Sequence, residues 1–464
     1  MHEHIRSRRA IPAVSRILEA LEGNLDLPRT VVVTIIRQEL AALRKSQAVP
    51  NFSDVVAQVR GALDRHSRSR LQPVINGTGV VLHTNFGRAT FAPTTALSVA
   101  QISSNYCNLE FDLTRGERGS RAAYVERNLA ILCSAEAATV VNNCAAALVL
   151  VARHFAVPDR EVIISRGELV QIGGGFRIGE ILQDAGIKLR EIGATNRTSL
   201  ADYAKAINRS TAMILKVHRS NFFMDGFVES PRTQEIAQLA RKRRIPFVVD
   251  LGSGALPSTA AVAPEEHEPM PAEALKDGAD LVCFSGDKLF GGPQAGIIAG
   301  KQRFITSLKR EPLFRALRCD KLCLAALQVT TDAHLCGSVS DIPVLALLQT
   351  SKDELRARAA NIFARLRGLP LQISVGRGSG KVGGGTLPRS VIPSVTIDIV
   401  PDGCSLQEFA SRLRGTTPPV IGYIAGNCFK IDLRTVLHQQ DEIVIDAIRS
   451  ACSAPAADTT VSDA

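Results

Sequence analysis

The stretch "FSGDKLFGGPQAGIIAGK" (284–301) decides how this chain is read. Lys288 follows the apolar run "ADLVC" (279–283), stands behind Ser-Gly-Asp and leads towards Gly-Gly-Pro. A lysine so placed is either a surface cation on a turn or an amine that carries a cofactor. Upstream lie further short β-rich runs: "ATVV" (138–141), "EVIIS" (161–165), "AMILKV" (212–217) and "IPFVVD" (245–250). Downstream comes "AGIIAG" (295–300), and helical stretches separate the runs. This alternation predicts an α/β fold, a mostly parallel sheet sandwiched by helices. Such sheets place ligands beyond the carboxyl ends of their strands.

The polar residues at those ends form a set. "IPFVVD" delivers Asp250, "ADLVCFSGDK" delivers Lys288, and "TVVNNCAAALVL" (139–150) passes from strand to helix through Asn142, Asn143 and Cys144. A strand-end lysine alone is ordinary, and a strand-end Asp is a common cap. Together and in this order they supply what pyridoxal 5'-phosphate requires. Its aldehyde needs a lysine amine, its ring nitrogen a carboxylate that keeps it protonated, and its phosphate the open N–H groups of a helix start.

The chain has 464 residues, of which 45% are hydrophobic and 22% charged, as in ordinary globular proteins. No apolar run has the length of a membrane span, and "MHEHIRSRRAIPAV" (1–14) lacks the apolar core of a signal peptide, so a cytoplasmic protein is expected. The ten cysteines suit reduced thiols. They contain no CxxC pair, and Cys319 and Cys323, spaced to share a helical face, lack further ligands, so no metal site is expected.

Net charge is +10, and residues 1–70 carry twelve Lys and Arg against seven Asp and Glu. That segment reads as a small helical domain. Ile11, Val14, Ile17, Leu18 and Leu21 have helical spacing, with Pro12 in a first turn. A second helix is expected over Thr30 to Lys45 and a third from Asn51, with Phe52, Val55, Val56, Val59 and Leu63 on one face. Arg60, Arg65, His66, Arg68 and Arg70 gather at its end, as dipole-complementing cations or as a phosphate-binding arm. After about Thr330 the pattern becomes α+β: helices over Val344 to Leu366, strands in "SVTIDIV", "PPVIGYIAGN" and "CFKIDLRTV", and a closing helix from Gln440 to Ala451. The boundaries expected are 1–70, 71–330, 331–452 and a disordered tail, 453–464.

"VGRGSGKVGGG" (375–385) imitates a nucleotide loop, but its glycine spacing and Val382 after Lys381 fail the P-loop pattern, so a flexible turn is expected. Arginines recur in "VINGTGVVLHTNFGRA" (74–89), which holds Arg88, and in "NLEFDLTRGERGSR" (108–121), where Arg115, Arg118 and Arg121 stand among Glu110, Asp112 and Glu117. In "EPLFRALRCDKL" (311–322), Arg315 and Arg318 are expected one above the other on a helix. Each could be salt-bridged at the surface, or paired guanidinium forks could hold a phosphate-like oxyanion.

Taken together, "INGTGVVLHTNFGRA", "NLEFDLTRGERGSR", "VVNNCAAA", "SRGELVQIGGGFRI", "GATNRT", "VDLGSG", "FSGDKLFGGPQAGIIAGK" and "RALRCDKLCLAAL" resemble bacterial selenocysteine synthase, the L-seryl-tRNA(Sec) selenium transferase, over nearly the whole chain. "IPAVSRILEAL" looks like that family's tRNA-binding N-terminal domain. The resemblance implies an aminotransferase-like (fold type I) architecture with a small helical N-terminal domain and an α+β C-terminal domain. It implies pyridoxal 5'-phosphate bound at Lys288, Asp250, Asn143, Cys144, Ala145 and Ser285, with Lys288 as its covalent anchor and Asp250 facing the ring nitrogen. Arg88, Arg315 and Arg318 fall where the family holds the phosphate of its selenium donor. "VVNNCAAA" departs from the family pattern by having Cys144 where a third Asn is usual, which leaves the backbone site but not an Asn side-chain contact. The implied reaction is β-replacement on seryl-tRNA(Sec). Lys288 takes the Cα proton, the seryl hydroxyl leaves, and selenium from selenophosphate joins the β-carbon. The resemblance also implies a ring-like homo-oligomer built from dimers, a decamer among such rings, with active sites at dimer interfaces.

A related pyridoxal-phosphate lyase of a small amino acid or amino-sugar phosphate would share the core motifs without needing a basic helical domain. A tRNA-binding protein without catalysis would have no use for Lys288 and Asp250.

Overall fold

The computed structural model describes residues 11–21, 26–46, 50–156, 160–171 and 173–453. The chain forms two compact units, Met1–Pro73 and Val74–Ala464. The expected tail lies outside the described residues beyond Ser453.

The first unit has the helices α1 (Val14–Ala20), α2 (Arg29–Lys45) and α3 (Phe52–Arg68). Asn51 caps α3, its side chain accepting the Asp54 N–H at 2.9 Å, which satisfies one open donor of the first turn. The apolar faces meet in one core of Ile17, Leu21, Val32, Ile36, Leu40, Val55, Val59 and Leu63. Pro12 precedes the first helix rather than sitting in its first turn. Arg60, Arg65, His66, Arg68 and Arg70 are exposed, and among the described residues none pairs with a carboxylate.

In the second unit, β1 (Ile75–Asn76) and β2 (Val80–Leu82) come first, then a small antiparallel hairpin of β3 (Phe111–Asp112) and β4 (Glu117–Arg118). The main sheet is built from β5 (Ala137–Val141), β6 (Glu161–Ser165), β7 (Lys188–Ile192), β8 (Thr211–Val217), β9 (Phe247–Gly252), β10 (Leu281–Ser285) and β11 (Gly296–Gly300). Its order is β5-β11-β10-β9-β8-β6-β7, parallel except for β11, which runs antiparallel to both neighbours. Successive residues face two separate cores. Val249, Val282, Phe284 and Ile297 pack with the helices Ala123–Leu132 and Thr233–Arg243. Val248, Leu281, Cys283 and Ile298 pack with Cys144–Phe155 and Ile178–Asp184. Helices thus cover both faces, which explains strands apolar at nearly every position.

The last strands are β12 (Leu371–Gly383), β13 (Thr386–Pro401), β14 (Val420–Ile421), β15 (Tyr423–Ala425) and β16 (Cys428–Asp432). A five-stranded sheet runs β15-β16-β13-β12-β2, and β1 pairs with β14. The helices Lys352–Arg365, Leu406–Arg414 and Asp441–Ser453 pack on this part through Leu355, Ile362, Phe409, Val444 and Ile448. Residues 375–383 are therefore strand, not a flexible turn; only Gly384 and Gly385 make the hairpin bend. The glycines have a steric cause. A Cβ at Gly376 would stand 2.3 Å from an Asp398 carboxylate oxygen, one at Gly378 2.5 Å from Asp432, and one at Gly380 2.8 Å from Arg434. Among the described residues no helix is long and apolar enough to cross a membrane.

Candidate active site

β9 and β10 are parallel neighbours with Cys283 opposite Asp250, and the register then skips so that Phe284 faces Gly252. The extra residue, Leu251, bends β9 just past Asp250, as bulges do near sites. Asp250 is buried, and its backbone carbonyl accepts the His218 N–H at 2.7 Å. Burial pushes its carboxyl up to about 6, although Lys288, the Cys144 thiol and the Gly252 N–H all favour the charged form. Gly252 has φ +67°, and the Lys288 Nζ lies 3.8 Å from where a Cβ would stand there. Glycine thus serves the turn, and the amine lies within van der Waals reach of it.

The loop after β10 presents Lys288. The Gly286 N–H donates to the Ala295 carbonyl at 2.9 Å and Gly291 to Lys288 at 2.9 Å, while Leu289 donates to Ser253 at 3.0 Å. Ser285, the last residue of β10, is buried beside this loop. The Lys288 side chain is anchored at its root and only partly covered, as a reactive amine needs.

The helix Cys144–Phe155 begins at the carboxyl end of β5. The Asn143 side chain caps it by accepting the Ala146 N–H at 2.8 Å. Cys144 and Ala145 keep first-turn N–H groups with no acceptor inside the helix, the pattern that receives a phosphate. Gly296 lets this turn approach β11, because a Cβ there would fall 2.1 Å from the Asn143 carbonyl oxygen. The Cys144 Sγ reaches Asp250 Oδ1 at 3.5 Å, a side-chain contact that replaces whatever an Asn would make.

These parts fit pyridoxal phosphate. An amine, a buried carboxylate and a helix start converge, and beside them the buried Ser253 hydroxyl has no partner. His218 Nε2 stands 3.3 Å from the buried Glu268.

Arg88 joins the site through a residue that sequence reasoning passed over. Its Nη1 bonds Asp287 Oδ2 at 2.5 Å, and Asp287, directly before Lys288, is buried. Arg88 has φ +65°, unusual for a side chain of that size and a sign that the local fold fixes it. The signal for Asp287 was its place in "SGDK".

Arg315 and Arg318 lie elsewhere, in an adjoining cavity of about 440 Å³ lined also by Glu110, Arg118, Arg121 and Lys309. They are not stacked on one helix. The helix Pro312–Leu317 ends before Arg318, whose backbone is extended. Glu110 gathers the cations, at 3.0 Å from Arg121, 2.8 Å from Arg118 and 3.3 Å from Arg318. The Arg121 hydrogen bond, followed by Arg118, holds the Glu110 carboxyl below its usual range. The Asn142 N–H donates to the Leu317 carbonyl at 2.9 Å, which ties this cavity to the helix start. Arg315 is exposed and, among the described residues, has no carboxylate partner.

The sequence profile of the L-seryl-tRNA selenium transferase family matches residues 74–437. The chain is 42% identical to the L-seryl-tRNA(Sec) selenium transferase of Geobacter sulfurreducens, over 96% of this chain and 99% of that protein. It is 42% identical to that of Carboxydothermus hydrogenoformans, over 93% and 95%. For Aquifex aeolicus the figures are 40%, 93% and 96%. Among solved structures, D-glucosaminate-6-phosphate ammonia-lyase superposes with a TM-score of 0.56 at 20% identity, covering 87% of this chain and 98% of that one. At that identity the likeness speaks for the fold, which is the expected aminotransferase-like one. With 93–96% of its length aligned to these relatives, the chain belongs to the L-seryl-tRNA selenium transferase family.

Proposed function

We propose that this chain converts L-seryl-tRNA(Sec) to L-selenocysteinyl-tRNA(Sec), using pyridoxal 5'-phosphate at Lys288 and selenium from selenophosphate. The observation that carries the reading is the convergence of Lys288, buried Asp250 and the open helix start at Cys144 on the carboxyl ends of parallel strands. The names of the 40–42% identical relatives supply the substrate.

When bound, the cofactor supplies an electron sink for charge that develops at the seryl Cα. Lys288 Nζ would hold the aldehyde in the resting protein and, once the seryl amine has taken its place, would be free as the base for the Cα proton. Asp250 keeps the ring nitrogen protonated. The N–H groups of Cys144 and Ala145 take the phosphate, Asn143 fixes that helix start as its cap, and Ser285 lines the strand end beside Lys288. Asp287 fixes Arg88. Arg88 beside Lys288 and Arg315 and Arg318 in the adjoining cavity supply positive charge for the selenophosphate oxyanion and for departing phosphate. The exposed cations of α3 bind the tRNA backbone, so residues 1–70 act as the tRNA-binding domain, 71–330 as the catalytic domain and 331–452 as the small domain.

The protein works as a homo-oligomer of dimers. Leu97, Tyr106, Phe111, Leu113, Tyr124 and Ile131 expose large apolar side chains on the described surface, and a second copy is their occupant. The test of the cofactor reading is spectroscopic. Purified protein shows the visible absorption of lysine-bound pyridoxal phosphate and Lys288→Ala loses it; a spectrum unchanged by the substitution refutes the assignment.

A further inference from the structure

Cys144 touches both ends of the cradle. Its N–H is one of the two open donors at the helix start, and its thiol lies 3.5 Å from Asp250 Oδ1. Sulfur hydrogen bonds are long, so this is a contact in which S–H donates and the carboxylate accepts. The other titratable groups that face Asp250 are Lys288, His218 and Cys283. Lys288 is committed to the cofactor aldehyde under the reading above. His218 stands against Glu268 through Nε2. Cys283 lies opposite Asp250 across the β9–β10 register. The Cys144 thiol is left as the side-chain hydrogen-bond donor on this carboxylate, with the Gly252 N–H also favouring its charged form.

We infer that Cys144 is a positioning residue for Asp250: its S–H holds the carboxylate in its charged form and turned towards the cofactor ring. This rests on the pyridoxal-phosphate reading. The thiol suits the task because it stays protonated. Burial and the neighbouring Asp250 charge push its ionisation well up, so it remains a donor throughout the neutral range. It is also small enough to occupy the first helical position without blocking the backbone donors. One residue thereby couples the phosphate end of the site to the ring-nitrogen end.

The experiment follows the Asp250 carboxyl by infrared titration in the full-length protein freed of cofactor, with Asp250→Asn identifying the band. Cys144→Val keeps the bulk and removes the donor, Cys144→Ala removes both, and Cys144→Ser supplies a stronger donor. The expected order of Asp250 proton affinity is Val and Ala above wild type and Ser below it, with Val raised about three- to tenfold. In the loaded protein, Val lowers kcat with seryl-tRNA by a similar factor and leaves KM for the tRNA unchanged. A Val form that titrates with wild type, or a Ser form that tracks Val, overturns the inference. Were the Val and Ala forms to fail to fold, an unshifted Ser titration would overturn it. Loss of the pyridoxal-phosphate reading itself would appear separately, as wild-type protein without a visible band, while the infrared order still decides the Cys144 contact.

Discussion

Asp250→Asn offers a test in which function and stability move in opposite directions. The substitution keeps the shape of the side chain and can still accept from the Cys144 thiol, but it removes a charge from a buried place. The Asp250 carboxyl is pushed from 3.8 up to about 6, with burial the main cause. An acid whose folded pKa is raised binds its proton more tightly in the folded state than in the unfolded one. Between the two values the folded state therefore holds more protons, and stability falls as pH rises through that window. About two units at 1.36 kcal/mol each make about 3 kcal/mol, the cost of keeping Asp250 ionised above pH 6. The cofactor-free Asn protein should accordingly be more stable than wild type by about 3 kcal/mol near pH 8, and the gain should vanish near pH 4. Denaturant midpoints of both proteins at the two pH values provide the measurement. The same substitution should weaken cofactor chemistry, because a neutral amide cannot keep the ring nitrogen protonated. An Asn protein no more stable than wild type near pH 8, or one whose advantage persists near pH 4, refutes the assignment of Asp250 as a buried charge retained for function.

Two further outcomes test the anion and RNA readings. Arg315→Ala or Arg318→Ala should raise the selenophosphate concentration for half-maximal rate by about 10- to 100-fold, the worth of one charge-assisted hydrogen bond, and leave the visible band intact. An unchanged donor dependence would move the donor site away from the cavity lined by Glu110 and Arg121. Replacing Arg60, Arg65 and Arg68 together by Glu should weaken tRNA binding and lower its salt dependence by roughly two to three units of slope. Filter binding across a salt series reads this, and retained affinity would place the RNA site outside α3.

The main sheet was legible because buried strands of a doubly covered sheet are apolar at nearly every position, and β5, β6, β8, β9, β10 and β11 each contain an apolar run that the sequence reading picked out. β7 escaped because, unlike the other edge strand β5, which is buried throughout, only Ile192 of "KLREI" is buried and three of its five residues are charged, so periodicity has little to grip there. The pairing of β2 with β12 joins residues far apart in the chain, which no local pattern encodes. The glycines of β12 read as a turn because the reason for them, the Asp398, Asp432 and Arg434 side chains packed against that face, lies on other elements. At the site, Lys288, Asp250 and the helix start at Asn143 and Cys144 were legible as strand and helix ends; the capping role of the Asn143 side chain was not. Glu110, which gathers three arginines, and Asp287, which fixes Arg88, were not. A carboxylate among arginines looks like any surface ion pair until the fold shows what it holds in place.

The central claim is that Lys288 and its cofactor act on an amino acid delivered by tRNA. Conversion of seryl-tRNA(Sec) in the presence of selenophosphate, followed by recovery of the aminoacyl group, measures it directly. The account predicts selenocysteine on the tRNA with wild-type protein, none with Lys288→Ala, and no product from free serine. Selenocysteine formed from free serine at a comparable rate, or seryl-tRNA(Sec) left unchanged by protein that carries the visible band, would contradict it.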